Sequence, residues 1–135
     1  MREMVIDFQH HYVPVELAKK HGLYSDKGET TYLQEGGKRA TTMHARLYDL
    51  DLQLTEMAEA RIDCSVLSCL LGWSAPMDEC RFINDHLAKV QTTYPGKFVG
   101  LAQASVLDGK VIAEISIQVY KVEGSIEEVL GGING

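Results

Sequence analysis

The sequence predicts an α/β domain built of βαβ units, and three observations predict it. Apolar runs of strand length at residues 4–8, 63–71 and 98–106 alternate with segments whose apolar residues recur at helical spacing. The second and third runs are near-continuous, as expected of parallel strands covered on both faces. The resulting order, strand then helix three times over, is that of doubly wound sheets and of (β/α)8 barrels.

Residues 4–8, MVIDF, read as the first strand, and Pro14 opens a helical turn that runs to Lys20. Residues 22–45 are polar and punctuated by glycine, which predicts a long excursion with TTYL extended and room for a small hairpin. Leu47, Leu50, Leu54 and Met57 form one helical stripe, so a helix is expected from about Leu47 to Ala60. DCSVLSCLL, residues 63–71, is the second strand. Ser74 can cap the next helix, whose first turn holds Pro76, Asp78 and Glu79. Its stripe is Cys80, Ile83, Leu87, Val90 and Tyr94, and Pro95-Gly96 stops it. FVGLAQASV, residues 98–106, is the third strand. Val111, Ile112, Ile115, Val119 and Val122 favour a further helix, although Ile115, Ile117 and Val119 also alternate like a strand. From Ser125 on, Glu127 and Glu128 stand where a fourth buried strand should be apolar.

Composition narrows the class. The chain has 135 residues, of which 45% are hydrophobic and 24% charged, the balance of one ordinary globular domain. A formal charge of −6, with a pI near 5.3, argues against nucleic acid or an anionic membrane as partner, since both require concentrated Lys and Arg. No apolar run approaches the roughly 20 residues that span a bilayer, nor does the start read as a signal peptide, so a cytoplasmic location is expected. Cys64, Cys69 and Cys80 are an odd set without close Cys-x-x-Cys spacing, which predicts core thiols rather than a disulfide framework or a zinc knuckle.

The chemically pointed stretch is DFQHHYVP, residues 7–14. Along a regular strand Asp7, Gln9 and His11 share one face, while Phe8 and His10 take the other. Two ligands two residues apart at the C-terminal end of a strand can face one metal ion, and here that spacing offers Gln9 and His11.

This stretch resembles the start of the amidohydrolase-related family, in the branch of aminocarboxymuconate-semialdehyde decarboxylase, whose first strand ends in Asp-x-His-x-His with Pro two residues on. Asp7, His11 and Pro14 match, and Gln9 departs. The likeness continues through LYDLDLQLTEMAEARIDCSVLS (47–68), the loop at Trp73, and CRFINDHLAKVQTTYPGKFVGLAQASV (80–106). It covers residues 4–106 and fades from Leu107, although the chain ends GGING much as a family strand would. Arg61 stands where the family tends to have glycine, a substitution that costs about 1 kcal/mol if the backbone there is left-handed.

The resemblance implies a partial (β/α)8 TIM barrel, about the first three to four β/α modules, because a full barrel takes about 250 residues. It implies metal-dependent hydrolysis or decarboxylation of a small carboxylic acid, with a divalent ion, zinc first and manganese or iron next, held by His11 and Gln9. Trp73, following the second buried strand, and Arg46, with its planar guanidinium, are the candidate substrate-binding residues. The family's remaining ligands and its catalytic acid or base come from later strands, so no catalytic residue is assigned in this sequence. The alternative is a catalytically inactive paralogue or fragment that serves as an interaction module. A partial barrel leaves sheet edges and an inner apolar face to be covered, which predicts a homodimer or pairing with another barrel subunit.

Overall fold

Two small sheets, one parallel and one antiparallel, organise the computed structural model of the protein, which describes residues 2–105. The expected helix over 111–122 and the segment from Ser125 on lie outside the described residues. The first strand, β1 (Ile6–His11), is followed by α1 (Val15–Lys20). Pro14 accepts from Leu17 and Ala18 N–H, so the turn opens where proline has preset φ.

The polar excursion contains an antiparallel hairpin, β2 (Thr31–Glu35) and β3 (Lys38–Met43). Its two-residue turn is Gly36-Gly37 with φ of 57° and 76°, values that a primed turn demands and that glycine adopts without a Cβ penalty.

One short 3-10 turn, Ala45–Leu47, precedes α2 (Leu50–Glu59), which is shorter than the stripe suggested. Asp49 adopts an extended backbone and its carboxylate accepts from Leu52 N–H at 3.0 Å, so capping breaks the helix from Leu47. At the other end Ile62 N–H bonds Met57 C=O and Arg61 N–H bonds Ala58 C=O, a Schellman closure with Arg61 at φ 58°. Arginine therefore occupies the left-handed position that glycine fills at lower cost.

Next come β4 (Cys64–Ser68), a 3-10 turn over Leu70–Ser74, α3 (Met77–Thr93) and β5 (Phe98–Gly100). The expected cap at Ser74 is displaced: Pro76 is the N-cap of α3, and Ala75 before it is extended, as proline requires of its predecessor. The third strand is shorter than its apolar run. Beyond Gly100 the chain is held by Leu101 N–H to Leu67 C=O and by Asn84, whose side-chain amide pairs with both Gln103 N–H and Gln103 C=O.

The strands β1, β4 and β5 lie side by side in that order and run parallel, each separated from the next in sequence by helix, so the protein is mixed α/β. On β4, Ser65 and Leu67 share a face; Ser65 pairs with Phe98 and Leu67 with Gly100. That face meets α3, whose buried residues Cys80, Ile83, Leu87 and Val90 follow the predicted stripe. Gly100 permits the contact, since a Cβ there would lie 2.7 Å from Leu87 Cβ. Cys64, Cys69 and Cys80 are all buried, as expected of core thiols. Glu79 is the exception on this stripe. Its buried carboxylate is held by Lys20 Nζ at 2.8 Å and His21 Nε2 at 3.1 Å, which ties the end of α1 to the first turn of α3. No described helix is long and apolar enough to cross a membrane.

Candidate functional site

The histidine stretch departs from simple alternation. The register with β4 shifts between Asp7 and His10: Asp7 pairs with Ser65, but His10 pairs with Leu67. Because Ser65 and Leu67 are two apart on β4, the shift brings Asp7 and His10 to the same side, where His10 Nδ1 lies 3.0 Å from Asp7 Oδ2. Asp7 Oδ1 accepts from Gln9 N–H at 3.0 Å. The His10 hydrogen bond, then the Gln9 backbone N–H, hold the Asp7 carboxyl below its ordinary range. A carboxylate that fixes Nδ1 of an imidazole orients the ring and leaves Nε2 as the working nitrogen.

His11, the last residue of β1, pairs with Ser68, the last of β4, and its Nδ1 lies 3.0 Å from Ser68 Oγ. With Nδ1–H donating to the hydroxyl, the Nε2 lone pair is free, and it has no partner among the described residues. The strand end itself is anchored from three sides. Tyr12 N–H donates to Ser68 C=O at 3.0 Å, Val13 N–H to Leu47 C=O at 2.6 Å, and Gln53 Nε2 to His11 C=O at 3.2 Å. The same Gln53 nitrogen donates to Arg46 C=O at 2.6 Å, so one buried amide joins β1, the 3-10 turn before α2 and α2 itself.

Gln9 is exposed and makes its one described contact through the backbone. Arg46 is also exposed, and its Nε lies 3.1 Å from Glu56 Oε1 on α2; any carboxylate that it binds must compete with Glu56. Trp73 lies in the 3-10 turn that follows β4, on the same end of the sheet as His11. The backbone thus places His11 and Trp73 at one end of the parallel strands, whereas Arg46 reaches that region through Gln53 alone. Among the described residues no three His, Cys, Asp or Glu side chains gather closely enough to hold a metal ion. The described residues therefore offer two oriented imidazoles on opposite faces of β1, His11 by Ser68 and His10 by Asp7, while the Gln9 amide, a weaker ligand for zinc than an imidazole, makes no described side-chain contact.

Sequence reasoning missed Ser68, the Asp7–His10 contact and Gln53. A register shift leaves no trace in residue spacing, so the Asp7–His10 contact was not legible. Gln53 was legible: it falls between Leu50 and Leu54 on the apolar stripe of α2, and a polar residue there must find partners. His86, off the apolar stripe of α3, is half-buried. Its Nε2 lies 2.8 Å from the Tyr12 hydroxyl, and its ring stacks on Tyr12 and tilts against Phe82. Burial pushes the Tyr12 phenol up and holds the His86 imidazolium below its ordinary range. His21 serves Glu79, and His44 Nδ1 meets Thr30 Oγ1 at 3.1 Å.

A cavity of about 250 Å³ lies between α1 and α3, lined by Glu16, Leu17, Lys20, Asp78, Glu79 and Phe82. None of His11, Gln9 or Arg46 is among its described lining residues. No family model matches the sequence.

Proposed function

We propose that this chain is the N-terminal part of a metal-dependent, amidohydrolase-related enzyme that hydrolyses or decarboxylates a small carboxylic acid, and that its parallel strands are the first of a (β/α)8 barrel. The observation that carries this reading is His11 at the end of the first parallel strand, with Nδ1 engaged by Ser68 and Nε2 free. That is how an imidazole ligand is commonly oriented by its outer partners. The order β1-β4-β5, with helices intervening in sequence, is the order in which a barrel lays down its strands.

A divalent ion, zinc first and manganese or iron next, supplies Lewis-acid polarisation of a substrate carboxylate or carbonyl. In this reading His11 Nε2 is a ligand, Gln9 lends its amide oxygen, and the remaining ligands come from outside the described residues. Trp73, in the turn after β4, is assigned to substrate binding, and Arg46 binds the carboxylate once it leaves Glu56.

A second reading, an inactive interaction module, is favoured by one residue: Gln9 stands where the resemblance has histidine. Metal content separates the two. Purified, desalted protein should retain zinc, manganese or iron, His11→Ala should lose it, and Gln9→His should bind it more tightly. Protein without metal in all three forms would overturn the enzymatic reading and leave the module.

A further inference from the structure

Tyr12 directly follows His11 but faces the helical layer. It is buried against α3, with its hydroxyl 2.8 Å from His86 Nε2. The two rings stack at 5.7 Å between centroids, and Phe82, one turn earlier on α3, tilts against the imidazole at 5.9 Å. Tyr12 is bonded through its backbone as well. Its N–H donates to Ser68 C=O at 3.0 Å, and Ser68 Oγ engages His11 Nδ1 at 3.0 Å. Tyr12 and Ser68 therefore connect His86 on α3 to the imidazole at the strand end.

The Tyr12–His86 bond depends on the charge of the imidazole. Burial pushes the Tyr12 phenol up, so it keeps its proton throughout the range in which histidine titrates. Neutral His86 accepts from that hydroxyl at Nε2. An imidazolium carries hydrogen on both ring nitrogens and can only donate, so the phenolic hydrogen must turn away. No other acceptor bonds the Tyr12 hydroxyl among the described residues, and a buried donor without one is costly. The charges that face His86 are Glu16 on α1, which favours the imidazolium, and Lys89 on α3, which opposes it. Burial is the largest influence and keeps the ring neutral at neutral pH.

We propose that Tyr12 and His86 form a pH-sensitive latch on the end of β1. With His86 neutral the Tyr12 hydroxyl is held on α3 and the strand end is fixed; protonation of His86 releases Tyr12 and loosens the Ser68 contact that orients His11. Acidification then alters the candidate site without unfolding the sheet. The latch concerns the strand end itself and stands whether or not a metal binds there.

Amide hydrogen exchange of the full chain, followed by NMR from about pH 8 to about pH 5 and corrected for intrinsic rates, tests it. The Tyr12 N–H should lose about tenfold of its protection or more as the His86 ring titrates, with the same midpoint. Leu101 N–H, which bonds Leu67 C=O on β4 at 2.9 Å, should keep its protection and so separate local release from global unfolding. Linkage makes the converse measurable: in Tyr12→Phe the His86 midpoint should rise, because the neutral ring has lost its donor. His86→Gln, neutral at every pH, should leave Tyr12 protection flat across the range. Tyr12 protection that ignores the His86 titration overturns the proposal, as does a loss shared equally by Leu101. So does an unmoved His86 midpoint in Tyr12→Phe, or a pH dependence that survives His86→Gln.

Discussion

Phe98 and Phe8 stand on the two faces of one three-stranded sheet, and only one of them is buried. Phe98 is 1% exposed, edge-on to Tyr94 at 5.8 Å between centroids and enclosed with Leu67, Ile83, Leu87 and Val90. Phe8 is 72% exposed. The helical face is complete within the described chain, because α3 carries a matching stripe and Gly100 lets it approach closely. The other face has apolar residues on both outer strands and no described element packed on them. The difference teaches that apolar patterning marks which residues seek burial without specifying where the covering surface comes from.

The largest expected effect sharpens that contrast. Phe98→Ala should destabilise the fold by about 3–5 kcal/mol, since it removes an enclosed ring that α3 cannot collapse to replace. Phe8→Ala, measured where the chain is monomeric, should cost under about 0.5 kcal/mol. Chemical denaturation of both variants reads the difference directly, and equal losses would abolish the distinction between the faces.

A smaller effect is expected where the helical layer grips the strand end. Gln53→Ala removes the single donor shared by His11 C=O and Arg46 C=O and should cost about 1–3 kcal/mol. Gln53 Oε1 has no hydrogen-bond partner among the described residues, so the loss is assigned to Nε2. In the same variant the His11 ring should lose definition, seen as broadened imidazole resonances. A sharp, unshifted His11 signal would show that Ser68 alone holds it.

The smallest effect is a pH dependence on the helical side. His86 has its folded pKa below the ordinary 6.5, chiefly through burial. The unfolded chain then binds more protons than the fold between those two values, so stability falls as pH drops from about 6.5 through the folded value and levels off below it. Asp7 and Glu79 have lowered pKa values, Asp7 through hydrogen bonds and Glu79 through Lys20 and His21 in spite of its burial. Their stabilisation is present above their unfolded values of 3.8 and 4.5 and is lost as pH falls through the folded ones, which separates the two windows. Thermal melts of His86→Phe should lose the slope just below pH 6.5 and keep the one below pH 4.5. An unaltered upper slope would remove His86 as its source.

By itself the sequence determined the alternation of strands and helices, the stripe of α3, the room for a hairpin in the polar excursion and the burial of the cysteines. These rest on local periodicity and on backbone preferences that act over a few residues. It also pointed to His11 as the residue of interest on β1. Only the tertiary structure decided where helices begin, because Asp49 and Pro76 cap or block them in competition with the apolar stripe. It alone joined Asp7 to His10, through a register shift that depends on pairing with β4, and His11 to Ser68, 57 residues away. Contacts of that kind depend on which strands lie side by side, and periodicity within one segment carries no information about its neighbours.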